Sequence, residues 1–537
     1  MKLFYELSLF FILFEVSCTS QNSVSAPTKK AFRYNQHSNI SSLDPAFARS
    51  QANLWAIDHL YNGLVQLDNS AVIRPCIAKS WKISDDGLCY TFHLRNDVFF
   101  HDSDVFLEKK GRKLIAKDIA YSFNRIMDDQ LASPGSWVFK GKIAEREPFQ
   151  AVDDTTFLLR LNSPFRPMLG ILSMAYCSVV PQEAVKKYGS DFRKNPVGTG
   201  AFRFKKWLEN QTLFLEKNNN YFECDSLGNR FPYLDGVKIS FISERKTAFL
   251  ELLKGNLDYL NGLESSYATE LLDTKGNLRN KYSQQLKLIK SPYLNTEYLG
   301  IKIDKQLYNP LQIKKLRQAL NYGFDRKTML KTMRNNVGIP AFQGFLPPGL
   351  PSFDASAIGY SYQPEKAAKL LLEAGFSDKN KMSEVTLLVT KDYLDLCTFI
   401  VRQWEELGIK ATIELSENAT LRERMAKGDA PFFRASWIAD YPDAESFFTV
   451  FYSKNPAPPN YTHFSNANFD LLYEKLVTEN DDNIRNEICH KLDKILMEES
   501  PVIFLFYDQS AVFLPPSISG LQPNCLNVLS LKTVRKD

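Results

Sequence analysis

Arg434, Trp437, Asp440 and Tyr441 fall in one short stretch, Arg434-Ala-Ser-Trp437-Ile-Ala-Asp440-Tyr441-Pro-Asp443. A guanidinium, a carboxylate and two aromatic rings this close together suit a non-covalent grip on a polar molecule. A planar guanidinium can bond both oxygens of a carboxylate, and an aspartate pairs with a cation. Each residue also has a purely structural use. Asp440 precedes Tyr-Pro-Asp and serves equally to organise a turn. Arg434 fits a structural ion pair, and Trp437 fits a core. Asp443 reads as a turn residue.

Nothing comparable points to bond-breaking chemistry. GxSxG, HExxH and a GxxxxGK followed by Ser or Thr are all missing. The six histidines, His37, His59, His93, His101, His463 and His490, are scattered. No CxxC occurs, and no Cys/His grouping has zinc spacing. The chain is therefore expected to be no enzyme and to need neither cofactor nor metal.

Met1 and Lys2 precede an apolar run, Leu3 to Val16, shorter than the roughly 20 apolar residues of a membrane span. It reads as a secretory signal. Its end, Ser17-Cys18, resembles a bacterial lipobox, in which the Cys is lipidated and becomes the first residue of the mature chain. Glu15 stands where Leu is usual, and an ordinary cleaved signal is the alternative. The expectation is a signal peptide over 1–17 and a lipidated tether over 18–30, too poor in apolar residues to fold. Localisation would then be periplasmic or cell-surface, on a membrane-anchored lipoprotein.

The remaining 500 or so residues exceed one simple core and imply two or three lobes. Lys and Arg number 66 against 61 Asp and Glu, a formal charge of +5 without a basic block, which argues against nucleic acid as a partner. Aromatics make up 13% of the chain; beyond the core, a surplus of Tyr and Trp suits a ligand cleft. Seven cysteines follow Cys18, so at least one is unpaired in a monomer. Cys76 and Cys89 are candidates for a disulfide, with buried free thiols as the alternative.

Strand and helix patterns alternate throughout, which indicates mixed α/β lobes. Tyr90–Arg95 and Phe157–Leu161 alternate as strands. Asp118–Met127 has the spacing of an amphipathic helix. Ile313–Met333 reads as helical with a break near Gly323. Gln363-Pro364-Glu365 opens a helix that runs to Ala374 and stops at Gly375. Leu396–Leu407 reads as a helix and Ile409–Leu415 as a strand. Phe469–Leu476 and Ile484–Met497 read as late helices, and Pro501–Phe513 as a buried strand.

Five segments together resemble the bacterial extracellular solute-binding proteins of family 5, which include the oligopeptide- and dipeptide-binding proteins. They are Ala78-Lys-Ser-Trp81 through Tyr90-Thr-Phe92-His-Leu-Arg95 to His101-Asp102; Asn195-Pro-Val-Gly198-Thr-Gly200-Ala-Phe-Arg-Phe204; Arg317-Gln-Ala-Leu-Asn-Tyr322 with Asp325-Arg326; Gln363-Pro-Glu-Lys-Ala367 leading to Glu373-Ala-Gly-Phe376; and the Arg434 to Asp443 stretch. The resemblance implies an α/β, two-lobed periplasmic-binding-protein-like clamp with an extra inserted subdomain. Lobe I would be built from 31–60, 190–290 and 511–537, with the insert at 61–189; lobe II would be 291–510. Ligand would sit between the lobes and draw them shut.

The same resemblance implies the site. Asp440 would pair with a peptide α-ammonium, and Arg434 would receive the carboxylate of a short peptide. Trp437 and Tyr441 would line the cleft. Tyr393 and Arg424 lie in a region where some relatives bind the carboxylate, but neither matches clearly. Trp81 and His101 read as structural. The function implied is capture of short peptides by a monomeric lipoprotein that delivers them to the permease and ATPase subunits of an ABC importer. Alternatives are a non-peptide ligand on the same fold (haem, a metal chelate or an oligosaccharide) and a peptide-sensing surface lipoprotein.

Overall fold

A computed structural model describes residues 30–262, 265–304, 309–377 and 382–537. The expected signal peptide, Cys18 and nearly all of the tether lie outside the described residues.

The fold is mixed α/β, and three sheets organise it. In the first, Ala31–Gln36 pairs in parallel with Gly236–Phe241, which continues antiparallel to Thr212–Lys217 and Phe202–Leu208. The second runs Ala78–Ile83, Cys89–Leu94, Thr156–Arg160, Phe149–Ala151, all antiparallel. The third has seven strands. Lys287–Ile301 lies at its centre, between Val502–Leu514 and Phe432–Ile438, and Val385–Val389 and Ala411–Leu415 extend it in parallel.

Strand periodicity builds the layers of the third sheet. Val502 and Phe504 enter one apolar core with Leu294, Tyr298, Phe433 and Phe447. Ile503 and Leu505 enter the opposite core with Leu299, Phe432, Leu320 and Trp404. A strand buried on both faces is apolar along the buried stretch, which is why Pro501–Phe513 reads as a nearly continuous apolar run, broken only at Asp508-Gln509-Ser510. The register passes from Glu297 opposite Phe506 to Tyr298 opposite Phe504. Leu505 is thus an extra residue, and the bulge puts Leu505 and Phe506 into the same core.

Lys287–Ile301 and Val502–Leu514 also tie the halves of the molecule together. At one end, Leu286, Ala511 and Phe513 pack with Phe249, Leu252 and Tyr267, while Val512 and Leu514 join the N-terminal core. At the other end the same strands form the centre of the third sheet. Between the two ends the pairing jumps from Pro292–Gln509 to Thr296–Tyr507, so Tyr293, Leu294 and Asn295 leave the ladder. Pro292 has no N–H to give to it. Leu294 instead donates its N–H to the Cys525 carbonyl at 2.7 Å and accepts from the Ala439 N–H at 2.9 Å.

The expected elements appear with shifts of a residue or two at their ends. The helical region from 313 is two helices, Lys314–Tyr322 and Arg326–Arg334. Several motif residues are structural fasteners. His101 links the first two motifs: its N–H donates to Gly198 O at 2.7 Å, Nδ1 accepts the Gly198 N–H at 3.4 Å, and Nε2 donates to Gly200 O at 2.9 Å. Burial lowers its pKa to about 4, so the ring stays neutral. A Cβ on Gly200 would lie 2.4 Å from the His59 carbonyl oxygen, so only glycine fits there. Arg326, wholly buried, donates to the carbonyls of Phe504, Asn321 and Tyr360.

The seven described cysteines are all free. The candidate Cys76–Cys89 bridge is therefore not formed. Cys76 is sealed in the N-terminal core, where burial pushes its thiol up to about 12. Among the described residues, no helix is long and apolar enough to cross a membrane.

Candidate ligand-binding site

The site begins where Phe432–Ile438 leaves the third sheet. Alternation sends Phe433 and Ala435 into one core, while Arg434, Ser436 and Ile438 share the other face. Ile438 is largely open to solvent. The chain then turns through Ala439-Asp440-Tyr441-Pro442-Asp443 into the short helix Glu445–Phe448.

Asp443 organises that turn. Its carboxylate accepts the Glu445 N–H at 2.9 Å, and its two oxygens lie 2.7 and 2.8 Å from Arg485 Nη2. Ser446 fixes the near side. Its Oγ accepts the Asp440 N–H at 3.2 Å, and its carbonyl accepts the Trp437 indole N–H at 2.5 Å. Asp440 is thus held by its backbone. Among the described residues, none gives its carboxylate a hydrogen bond or an ion pair.

That carboxylate opens on solvent but is enclosed by protein. Burial first, and the neighbouring Glu445 second, push its pKa up to about 6. Facing it from the 61–189 region is Tyr176, whose hydroxyl is raised by burial and then by the Asp440 charge. An unpaired carboxylate with a second acid behind it has the chemistry to take up a cation.

Glu445 belongs to the supporting structure. It is buried and accepts the hydroxyls of Tyr441 and Tyr473. Lys142, bonded to the Trp137 carbonyl at 2.9 Å, contributes a nearby positive charge. Tyr441 is buried as well. It sits in the N-terminal core against Gly170, where an added Cβ would be 3.4 Å from the tyrosine Cβ. Of the two aromatic candidates it anchors the turn, while Trp437 is half-buried beside Asp440. The Arg166 N–H donates to Val477 O at 2.8 Å, a further tie between the 61–189 region and the C-terminal helices.

Arg434 is not a free cation. It forms an ion pair with Glu297 on the neighbouring strand, and the two side chains are 11% and 2% exposed, so the pair is shielded from water. The guanidinium carbon also lies 3.0 Å from the centroid of the Tyr393 ring. Asn295 donates to Glu297 Oε1 at 3.0 Å, and the Tyr393 hydroxyl donates to it at 3.4 Å. Two atoms of the cluster, Arg434 Nε and Asn295 Oδ1, are buried without a protein partner. Arg424 is elsewhere, paired with Glu414 at 2.5 Å.

The structure brings Asp440 and Trp437 together at the end of Phe432–Ile438, where both bond Ser446, and puts Arg434 on the opposite face of that strand from Trp437. It adds Glu297, Asn295, Glu445 and Tyr176, which the sequence reading missed. Glu297 lies 137 positions from Arg434, and only strand pairing joins them. A lone Glu within an apolar strand was the available signal. Among the described residues, no group of three or more His, Cys, Asp or Glu is placed to hold a metal.

With this geometry in hand, comparison defines the class. The family model described as bacterial extracellular solute-binding proteins, family 5, middle, matches residues 72–459. The chain belongs to that family, one of substrate-binding proteins. It is 28% identical over 480 residues to Heme-binding protein A of Haemophilus influenzae, covering 86% of this chain and 84% of the relative. It is 26% identical over 478 residues to the dipeptide-binding protein of Escherichia coli, covering 85% and 84%. Among solved structures, the periplasmic binding protein DppA from Helicobacter pylori in complex with peptide STSA superposes with a TM-score of 0.77 at 26% identity, covering 94% of this chain and 98% of that one.

Proposed function

We propose that this chain is the extracytoplasmic binding component of an ABC importer, which captures short peptides between two lobes and hands them to membrane permease and ATPase subunits. The observation that carries this is Asp440, a carboxylate fixed by its backbone, left unpaired and faced by Tyr176 from the insert region. A peptide α-ammonium would supply the missing charge. Trp437 would flank the peptide. Arg434 would meet a peptide carboxylate through Nε, with its remaining charge already matched by Glu297. Peptide-binding relatives support this ligand class.

The lobes would be 31–60 with 190–290 and 511–537, carrying the insert 61–189, and 291–510. The break in pairing with Val502–Leu514 at Tyr293–Asn295 would serve as the crossing between the lobes. A monomer tethered through a lipidated Cys18 completes the proposal.

The test is mass spectrometry of the small molecules that leave the purified protein on denaturation. A ladder of short mixed-sequence peptides is expected. A single non-peptide species would overturn the ligand assignment, and haem would favour the reading suggested by the name of the Haemophilus relative.

A further inference from the structure

A pocket that opens to solvent lies away from the Asp440 site. Its volume is about 270 Å³, and none of its lining residues comes from 291–510. Its walls are the end of the helix Gln51–Leu60, the hairpin Val65–Leu67 with Ile73–Pro75, the turn at 173–178 and the C-terminal segment 524–533. The turn at 173–178 separates the two sites. Tyr176 on it faces Asp440, whereas Met174 and Ala175 line the cavity.

The chemistry of this space is unbalanced. Arg74 at its rim is paired with Asp68 at 2.8 Å. Lys532 is paired with Glu223 at 2.6 Å and donates to Gln66 at 2.6 Å. His59 is buried and neutral, its pKa lowered to about 3 by burial. The remaining charged group is Asp58. Its side chain is accessible to water yet enclosed by protein, and its pKa is pushed up to about 6, by burial against the weaker attraction of Lys532. Among the described residues, none gives its carboxylate a hydrogen bond or an ion pair. Asn62 and Ser178 supply polar groups, and Val65, Met174, Phe202 and Leu531 supply apolar wall.

A carboxylate without an ion partner on the wall of this pocket attracts a cation, and an apolar stem on that cation would fill the space beside it. We propose that this cavity is a second ligand site, which takes a small organic cation, a primary ammonium on a short apolar stem, with Asp58 as its ion partner. With a liquid-water share of roughly 30 Å³ per molecule, the space suits a stem of a few carbons and excludes a peptide.

The experiment is calorimetric titration of the full chain carrying Asp440→Asn, which silences the other candidate amine site, with butylammonium chloride and with 1-butanol at pH 7.5. Butylammonium is expected to bind at one site at least tenfold more tightly than butanol, and addition of Asp58→Asn is expected to abolish that preference. Equal binding of the two probes, or a preference that survives Asp58→Asn, would overturn the proposal. Soaking crystals of the unaltered protein in 2-bromoallylammonium, whose vinylic bromine is not displaced by amines or thiols, gives a check that needs no variant at Asp58. An anomalous bromine peak beside Asp58 is expected, and its absence there counts against the site.

Discussion

Replacing Asp440 by Asn should stabilise the empty protein while weakening its hold on ligand. From the ordinary 3.8 to about 6 is roughly two pH units, or about 3 kcal/mol if fully expressed. The side chain is exposed enough for solvent to screen it, so about 1 kcal/mol is the realistic magnitude. The sign follows from proton uptake. A carboxyl whose pKa is raised on folding binds more protons folded than unfolded between pH 3.8 and about 6. Stability therefore falls as pH rises through that window and stays reduced above it. Asp440→Asn removes the penalty. Its thermal midpoint should exceed that of the unaltered protein by about 1–3 °C at pH 7.5 and match it near pH 3.5. Scanning fluorimetry at the two pH values, on protein freed of ligand by partial denaturation and refolding, measures both. A midpoint lowered at pH 7.5 would mean that the Asp440 carboxylate has a favourable partner, and would refute the reasoning.

The remaining predictions concern the framework. Glu297→Ala leaves the Arg434 guanidinium buried and unpaired and should cost about 3–5 kcal/mol, whereas Glu297→Gln with Arg434→Met should recover most of it in denaturant titrations. Asp493 accepts the Phe345 and Leu346 N–H groups at 2.6 and 3.3 Å, but burial pushes it up to about 7. It therefore lowers stability as pH rises from 3.8 toward 7, and Asp493→Asn should flatten that part of the pH profile. Gly200→Ala forces a methyl to within 2.4 Å of the His59 carbonyl oxygen and should cost about 1–3 kcal/mol, read as a fall in thermal midpoint.

Much of the architecture is legible because periodicity reports burial. Pro501–Phe513 is apolar except at Asp508-Gln509-Ser510 because helices cover both faces of its sheet. Gln363-Pro364 and Gly375 mark a helix because each solves a backbone problem at its end. The motif residues His101, Arg317 and Arg326 do their work through backbone carbonyls of segments far along the chain, so the sequence marks them without saying what they fasten.

The site is legible only in part, for the same reason. Asp440 and Trp437 sit where their motif places them. Whether Arg434 is free depends on Glu297, 137 residues away, and strand register decides that. Tyr441 looks like a cleft residue until Gly170 and the N-terminal core are found around it. Asp443 makes the hydrogen bonds that organise the turn, while the Asp440 carboxylate makes none among the described residues.

The central claim is that Asp440 receives the ammonium of a peptide. Calorimetry with a mixed tripeptide carrying a free N-terminus, and with its N-acetylated form, tests it most directly at pH 7.5. The account predicts that acetylation weakens binding at least tenfold in the unaltered protein and makes little difference in Asp440→Asn, where the free peptide has already lost its partner. Equal affinity of the unaltered protein for the two peptides would contradict it.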